Sequence, residues 1–247
     1  MQQFTQNIWR LSALSLGILA LTACGDDEKI VEVPVEVIVE VPPPPPPPPV
    51  DYVYQVTVTN LTAAQPLSPV GLVVHDGGHL WSVGEAASVA LERLAEGGDN
   101  SMLIENAGLA SISGAGIIAP GDSETIEITV QDNDMAQLSF ATMLVNTNDA
   151  FAGLDAWDLG NLAAAGDMWT TTLPVLDAGT EFNSEQAGSI PGPADGGEGY
   201  NPMRIGSSVV TLHGGVVSAD DGLSSSVLSV NHKFDNPALR VTVMRVQ

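Results

Sequence analysis

Apolar and polar residues alternate along several segments of this chain, which is the pattern of half-buried β-strands. Residues 52–59 (YVYQVTVT) are rich in aromatic and β-branched side chains and predict a first strand. Residues 238–246 (ALRVTVMRV) predict a closing strand of the same kind. Since both patterns are strong, we expect these two strands to pair or to lie near each other. Further strands are predicted at residues 70–74, 124–130, 137–145 and 207–213.

A helical spacing of apolar residues interrupts the strand patterns once. Residues 85–96 bring Ala86, Val89, Ala90 and Leu94 near one face of a helix, which the following Gly97 and Gly98 should end. A second short helix is predicted to begin at Asp99 or Ser101. The number of strands and the Gly, Pro and Asn clusters between them favour an all-β, antiparallel β-sandwich with short helical insertions.

The N-terminus has the pattern of an export signal. Residues 1–10 contain one basic side chain, and residues 11–23 are apolar and uncharged. That apolar run is too short to span a membrane and has the length of a signal-peptide core. It ends in the sequence LTAC, which resembles the lipobox of bacterial lipoproteins. The resemblance implies that residues 1–23 are removed and that Cys24 is lipidated.

Two further features bear on this lipoprotein hypothesis. Cys24 is the single cysteine of the chain, so no intramolecular disulfide can form. Gly25 follows it, where an Asp would favour retention in the inner membrane of some bacteria, so an outer-membrane or cell-surface location is expected. The alternative is a soluble secreted protein in which Cys24 has no special role.

Residues 24–50 are predicted to be a tether, and residues 51–247 a single domain. Val and Glu alternate over residues 31–41, but Pro34 and the prolines that follow argue against a regular strand. Eight consecutive prolines, residues 42–49, predict a stiff polyproline rod of about 25 Å. The rod would hold the domain away from a membrane. A proline-rich ligand for a recognition module is the alternative.

The charge of the chain excludes one large class of partner. Its 247 residues include 7 Lys and Arg against 30 Asp and Glu, which gives a net charge of −23. Binding to nucleic acid requires clustered Lys and Arg to neutralise phosphates, so nucleic acid is excluded. Direct electrostatic docking on anionic lipid is disfavoured as well, unless a cation bridges the two surfaces.

Two acidic segments carry the most informative side chains. Residues 144–155 (LVNTNDAFAGLD) and 176–185 (LDAGTEFNSE) each follow an apolar run and place carboxylates among Asn, Thr and Gly. Calcium takes six to eight oxygen ligands, and Asp149, Asp177 and Glu181 would supply up to three anionic ones. Gly179 would let the second segment turn so that both of its acids face one point.

The same residues have a structural interpretation. Asp149 and Asp177 would then cap turns through hydrogen bonds to nearby backbone N–H groups. Three neighbouring oxygen-bearing side chains have weaker claims as ligands, and they are Asn148, Asn183 and Glu185. Asp155 and Asp158 are predicted to start a helix or a turn rather than to bind a cation.

Four landmarks in order resemble the spondin domain in its bacterial form. They are YQVTVTN at residues 54–60, LVNTND at 144–149, DAGTE at 177–181 and NPALRVTV at 236–243. The resemblance covers about residues 52–246. It implies an eight-stranded β-sandwich related to calcium-dependent membrane-binding modules, with one calcium ion. By position, Asp149, Asp177 and Glu181 match the family's calcium ligands, although Glu181 stands where the animal proteins have Asp.

Other candidate chemistry is weaker. His75 and His79 are four residues apart, as in some zinc sites, but Gly77 and Gly78 between them predict a turn and no third ligand has a matching spacing. His213 and His232 are isolated in the sequence and are expected to be structural. Residues 132–134 (DND) only begin a calcium-loop pattern. The chain has no nucleophile elbow, phosphate loop or zinc-protease helix motif.

The sequence therefore predicts a calcium-binding, lipid-anchored protein of the bacterial cell envelope that acts in adhesion or matrix interaction and is not an enzyme. Its expected partners are a membrane, reached through Cys24, and a cell-surface, glycan or matrix molecule. Two alternatives stay open. One is a hydrolase of the cell envelope with a carboxylate site, and the other is a purely structural lipoprotein in which calcium only stiffens loops.

Overall fold

A computed structural model describes residue 45 and residues 48–105, 108–131, 135–203 and 205–247. Pro49–Gln247 form a compact unit. The predicted signal peptide, Cys24, most of the tether and residues 132–134 lie outside the described residues. Within the described ranges, no helix combines the length and the hydrophobicity that a membrane crossing requires.

The described residues form ten strands in two antiparallel sheets. The four-stranded sheet has the order β4-β1-β10-β7, and the six-stranded sheet has the order β3-β2-β5-β6-β8-β9. The strands are β1 (Asp51–Asn60), β2 (Gly71–His75), β3 (Ala110–Ser113), β4 (Ser123–Gln131), β5 (Gln137–Met143), β6 (Ala150–Asp158), β7 (Met168–Leu173), β8 (Val175–Asp177), β9 (Thr211–Leu212) and β10 (Leu239–Arg245).

The first and last strands pair, as their patterns predict. In the antiparallel register of β1 and β10, Val56 lies opposite Val243 and Val58 opposite Val241. All four valines are fully buried. The pairing of β1 with both β10 and β4 places it in the interior of its sheet. This arrangement joins the two ends of the compact unit through backbone hydrogen bonds.

One hydrophobic cluster takes side chains from both sheets. Val56, Ile126 and Val241 of the four-stranded sheet belong to the same buried cluster as Leu72 and Phe140 of the six-stranded sheet. Burial alternates along β4 with a period of two, as expected for a strand with one buried face. The all-β prediction is confirmed. The resemblance implies eight strands, whereas the described residues contain ten, of which β8 and β9 have three and two residues.

The predicted helix forms, but it begins later than its apolar spacing predicts. Helix α1 spans Val89–Gly97, and Ser88 caps it by accepting a hydrogen bond from the Leu91 backbone N–H at 3.2 Å. The Glu85 carbonyl accepts instead from the Val210 backbone N–H at 2.8 Å, and this tertiary bond competes with a helical start at Glu85. Gly98 ends the helix in the left-handed region, at φ 69°.

The face of the six-stranded sheet that carries α1 has a hydrophobic cluster of its own. Leu91, Leu94 and Ala95 of α1 pack there with Phe151 of β6 and Leu176 of β8. A second short helix, α2, spans Ser101–Glu105, and Asp99 accepts a hydrogen bond from the Ser101 backbone N–H at 3.0 Å. The prediction of a short helix starting at Asp99 or Ser101 is therefore confirmed.

Two predictions about local structure need correction, and several strands lack a predicted counterpart. The strand expected at residues 207–213 reduces to Thr211–Leu212. Asp155 does not start a helix or turn, because it lies inside β6. Strands β3, β6, β7 and β8 were not predicted. Strand β6 (AFAGLDAWD) is rich in Ala, Gly and Asp, which are weak strand formers, so tertiary pairing with β5 and β8 decides its conformation.

Candidate functional site

The two acidic segments lie side by side where β6 begins and β8 ends. Ala150, the first residue of β6, pairs with Asp177, the last residue of β8. The backbone N–H of Ala178 donates to the carbonyl of Asp149 at 3.1 Å. Sheet pairing thus places Asp149 next to the loop that contains Asp177 and Glu181, although Asp149 and Asp177 are 28 positions apart in sequence.

Asp149 is fully buried, and only one of its carboxylate oxygens is satisfied. Its Oδ2 accepts hydrogen bonds from the backbone N–H groups of Thr180 at 2.8 Å and Glu181 at 3.0 Å. The Thr180 hydroxyl donates to the same oxygen at 3.2 Å. Its Oδ1 has no hydrogen-bond partner among the described residues. An unpartnered carboxylate oxygen in the interior is costly unless it is protonated or faces a cation.

Asp177 makes the turn-capping contact that the structural interpretation predicts. Its Oδ1 accepts from the Gly179 backbone N–H at 2.8 Å, which closes a local turn. Its Oδ2 accepts from the side-chain amide of Asn183 at 2.5 Å. Asp177 retains 8% of its surface exposed. Both oxygens of this carboxylate are therefore engaged within its own loop.

Glu181 is buried and is linked to the first acidic segment by Asn148. The Asn148 side-chain amide donates to Glu181 Oε2 at 3.0 Å. At its other end, Asn148 Oδ1 accepts from the Glu185 backbone N–H at 3.0 Å. Asn148 thus connects the two acidic segments through hydrogen bonds.

Burial and a neighbouring negative charge both raise the pKa of Asp149. Burial, followed by the negative charge of Asp177, raises the pKa of Asp149 from 3.8 to about 7, against the lowering effect of its bonds to Thr180. A smaller contribution in the same direction comes from Glu96. A bound cation would reverse the balance, since it favours the ionised carboxylate.

The oxygen-bearing side chains of this region are of the type that binds a hard cation. Their present orientations, however, do not surround a common position. Carboxylate and amide oxygens are the ligands that calcium prefers. As the side chains stand, no group of three or more His, Cys, Asp or Glu in the described part of the chain is placed to hold a metal ion. Ligation by Asp149, Asp177 and Glu181 together therefore requires side chains to turn away from their present partners.

Gly179 fixes the close approach of the second acidic loop to its neighbour. Its φ of 72° lies in the left-handed region, as the predicted turn requires. A Cβ atom at this position would lie 2.7 Å from the Val209 backbone nitrogen and 2.8 Å from Ser207 Oγ. The Gly179 carbonyl also accepts from the Ser208 backbone N–H at 2.8 Å. The absence of a side chain therefore lets the two loop segments touch.

Two residues near this region have no distinctive signal in the sequence. Glu96 of α1 is fully buried, and its Oε1 has no hydrogen-bond partner among the described residues. His213 is also buried, with Nδ1 accepting from the Gly215 backbone N–H at 2.9 Å. Burial lowers the pKa of His213, and the charge of Asp177 opposes this effect. Both residues are brought here by tertiary packing that sequence spacing does not reveal.

Glu185 has a structural role. Its Oε1 accepts from the Val217 backbone N–H and its Oε2 from the Ser226 hydroxyl, both at 2.8 Å. Burial raises the pKa of Glu185, and the bond to Ser226 opposes this shift. Both oxygens are thereby used to fasten the segment that leads from β9 to β10. The weaker claim of Glu185 as a cation ligand gains nothing from this arrangement.

His75 and His79 lie in a separate network around Asp155. His75 Nδ1 contacts the Gly77 carbonyl at 2.9 Å, and its Nε2 lies 2.8 Å from the Ser139 hydroxyl. Since a carbonyl only accepts, Nδ1 must carry the proton of this contact. Asp155 Oδ2 lies 2.6 Å from His79 Nδ1. Between the two histidines the chain bends at Asp76 and Gly77, and Asp155 of β6 holds the end of this segment through His79 and Leu80.

We expect Asp155→Ala to cost about 2 kcal/mol of stability, because a partly buried acceptor for several donors would be lost. Asp155 Oδ1 accepts from the Leu80 backbone N–H at 2.8 Å and from the Ser139 hydroxyl at 3.1 Å. Urea unfolding checks this value. Asp158→Ala is the control: Asp158 caps an exposed 3-10 turn and should cost at most about 1 kcal/mol. Equal costs for the two variants would contradict a network centred on Asp155.

No protein-family model matches the chain, and no curated protein has significant sequence similarity to it.

Proposed function

We propose that this protein binds calcium at the junction of the two acidic segments and works as a binding module rather than an enzyme. The observation that carries the proposal is Asp149, whose buried carboxylate has an unpartnered Oδ1 next to another carboxylate, that of Asp177. A divalent cation would satisfy the free oxygen and would offset the repulsion between the two acids. Glu181 would complete the set of anionic ligands.

The fold proposed for this module is a spondin-like β-sandwich. It is supported by the cluster that takes buried side chains from both antiparallel sheets, and by the pairing of the first strand with the last. The four sequence landmarks of the spondin domain lie in β1, in the two acidic segments and at β10. In this scheme the eight strands of the family would form the main body, and the short strands would be local additions.

The cellular role that we propose rests on the N-terminal sequence. Cys24 would carry a lipid anchor in the bacterial envelope, and the proline run would hold the domain away from the membrane. Calcium at the acidic junction would then present loops to a cell-surface, glycan or matrix partner. Pull-down of surface molecules with and without calcium separates this role from that of a purely structural lipoprotein, which would be stabilised by calcium but would bind no partner.

Calcium should raise the melting temperature of the protein. For a weak site with a Kd on the order of 10⁻⁴ M, as in extracellular modules, 1 mM calcium would add roughly 1.4 kcal/mol to the free energy of unfolding. Asp177→Ala should remove this gain, because it deletes one anionic ligand. Thermal melts in calcium and in chelator measure the effect directly.

Magnesium at the same concentration is the control for ionic strength and for diffuse binding to a chain with a net charge of −23. The Mg²⁺ ion is smaller and demands near-ideal octahedral geometry, so the rise in melting temperature should be smaller with magnesium than with calcium. Identical melting curves in calcium and in chelator would count against the site. A hydrolytic activity that depends on Asp149 would instead favour an enzyme.

A further inference from the structure

A cavity of about 350 Å³ is lined by β2, by the segment that follows it, and by the region of helices α1 and α2. Most of the side chains that line it are apolar, among them Val73, Leu80, Ala90 and Leu103. Polar atoms on its wall come from His75, His79 and Ser88. A mostly apolar cavity of this size with a few polar groups is typical of sites that bind small organic molecules.

Asp155 fixes the ring of His79, which lies on the wall of this cavity. His79 Nδ1 lies 2.6 Å from Asp155 Oδ2. Because an ionised carboxylate only accepts hydrogen bonds, Nδ1 must donate, and in the neutral imidazole Nε2 is then an acceptor. Nε2 has no hydrogen-bond partner among the described residues, and the His79 side chain is 64% exposed. His79 therefore offers a ligand one accessible acceptor, whose tautomer is set by the protein.

A β-bulge aims Asp155 at this histidine. Ser139 of β5 faces two residues of β6, Asp155 and Ala156, where the register between the strands shifts. Ala156 has a φ of 50°, in the left-handed region that alanine rarely adopts, and its backbone N–H donates to Ser139 Oγ at 2.8 Å. Asp155 Oδ1 accepts from the Leu80 backbone N–H at 2.8 Å, which leaves Oδ2 for His79. Strained bulges of this kind occur next to functional sites, where they re-aim a side chain.

The other two polar side chains of the wall are engaged within the protein. His75 uses both ring nitrogens, one on the Gly77 carbonyl and one on the Ser139 hydroxyl. The Ser88 hydroxyl oxygen caps α1 by accepting from the Leu91 backbone N–H. Of these three side chains, His79 is therefore the one that keeps a ring nitrogen available for a ligand.

We propose that this cavity binds a small neutral molecule that has an apolar body and a hydroxyl group, and that the hydroxyl donates to His79 Nε2. The apolar wall would take the body of the ligand, and the tautomer set by Asp155 would select a hydrogen-bond donor. The net charge of −23 disfavours an anionic ligand. The site shares no residue with the acidic junction, so this inference is independent of the proposed calcium site.

The test uses 2-naphthol and 2-methoxynaphthalene, which share an apolar ring system, although only the first has a hydroxyl proton. Calorimetric titrations at pH 7.5, where an ordinary imidazole is mostly neutral, measure both affinities. We expect 2-naphthol to bind at least about tenfold more tightly. His79→Phe keeps a ring in the wall but removes the acceptor, so the affinity for 2-naphthol should fall to that for the ether. Equal affinities in the wild type, or no binding of either compound, would overturn the proposal.

Asp155→Asn separates the tautomer of His79 from the shape of the cavity. Its side-chain oxygen can still accept from Leu80, and its amide can donate to His79 Nδ1, which moves the ring proton to Nε2. We expect the variant to bind 2-methoxynaphthalene at least as tightly as the wild type does, and to lose the preference for 2-naphthol. Asp158→Asn, in the same strand, is the control and should keep that preference. A folded Asp155→Asn variant that retains the preference, or that binds neither compound, would refute the role of Asp155.

Discussion

Asp149→Asn should stabilise the protein at pH 8 in chelator while it abolishes the response to calcium. The variant keeps a side-chain oxygen that can accept from Thr180 and Glu181, but it has no buried charge to be repelled by Asp177. The pKa of Asp149 in the folded protein is about 7, against 3.8 for the ordinary group. At about 1.4 kcal/mol per pKa unit, ionisation of this group costs the wild type up to about 4 kcal/mol.

The pH dependence of this effect has a defined sign. Because the folded state holds the proton more tightly than the unfolded chain, the contribution of Asp149 to stability is greatest below pH 4. It is lost as the pH rises to about 7 and stays constant above that. The variant should therefore exceed the wild type by up to about 4 kcal/mol at pH 8, and the two should converge near pH 4.

Other groups titrate in or near this range, and the comparison of variant with wild type removes their effects. His213 has a lowered pKa and destabilises the fold as it gains a proton at acidic pH, whereas Glu185 has a raised pKa and acts in the same direction as Asp149. Both are present in wild type and variant, so the difference between their stability curves isolates Asp149. Urea unfolding at several pH values gives that difference. A variant that is less stable than the wild type at pH 8 in chelator would contradict the account.

Gly179→Ala should cost about 3 kcal/mol, which corresponds to a fall of roughly 10 °C in melting temperature. A side chain at φ 72° costs about 1–2 kcal/mol by itself. The added Cβ would also meet backbone atoms of Val209, which cannot rotate away as a side chain could. The second acidic loop would have to move, so the calcium shift should be lost together with the stability.

Gly188→Ala is the matched control for Gly179→Ala. Gly188 has a φ of 87°, but a Cβ there would have no atom within 4 Å. It therefore tests the conformational cost without the clash, and we expect a loss of about 1 kcal/mol with the calcium response retained. Equal losses in the two variants would show that the contact between Gly179 and Val209 does not constrain the loop.

Alternation of apolar and polar residues with a period of two predicts the strands that bury one face. The pairing of β1 with β10 follows from two such segments, and β4 shows the same alternation. Strand β6 is not predictable from its sequence, because its Ala, Gly and Asp residues show no alternation of apolar and polar positions. Its β-conformation depends on pairing with the neighbouring strands. The late start of α1 depends on the bond between Glu85 and Val210, whose partners are more than a hundred residues apart.

The candidate site was predictable only where its residues sit in local acidic segments. Asp149, Asp177 and Glu181 lie in such segments, and the pairing of β6 with β8 brings the two segments into one region. Glu96 and His213 lie in segments whose sequences resemble an ordinary helix end and an ordinary loop. Their burial depends on how α1 and β9 pack, which no spacing rule encodes. The Asp155 network was hidden for the same reason, since Ser139 and Asp155 are on different strands.

The most direct test of the account is the stoichiometry of calcium binding, measured by flow dialysis with radioactive calcium at pH 7.5 and about 0.1 M KCl. At that ionic strength the Debye length is about 10 Å, which screens diffuse attraction to the acidic surface. We expect one calcium ion per chain with a Kd on the order of 10⁻⁴ M, and no saturable binding in Asp149→Asn or Asp177→Ala. Wild-type binding that does not saturate, or that equals binding by both variants, would contradict it.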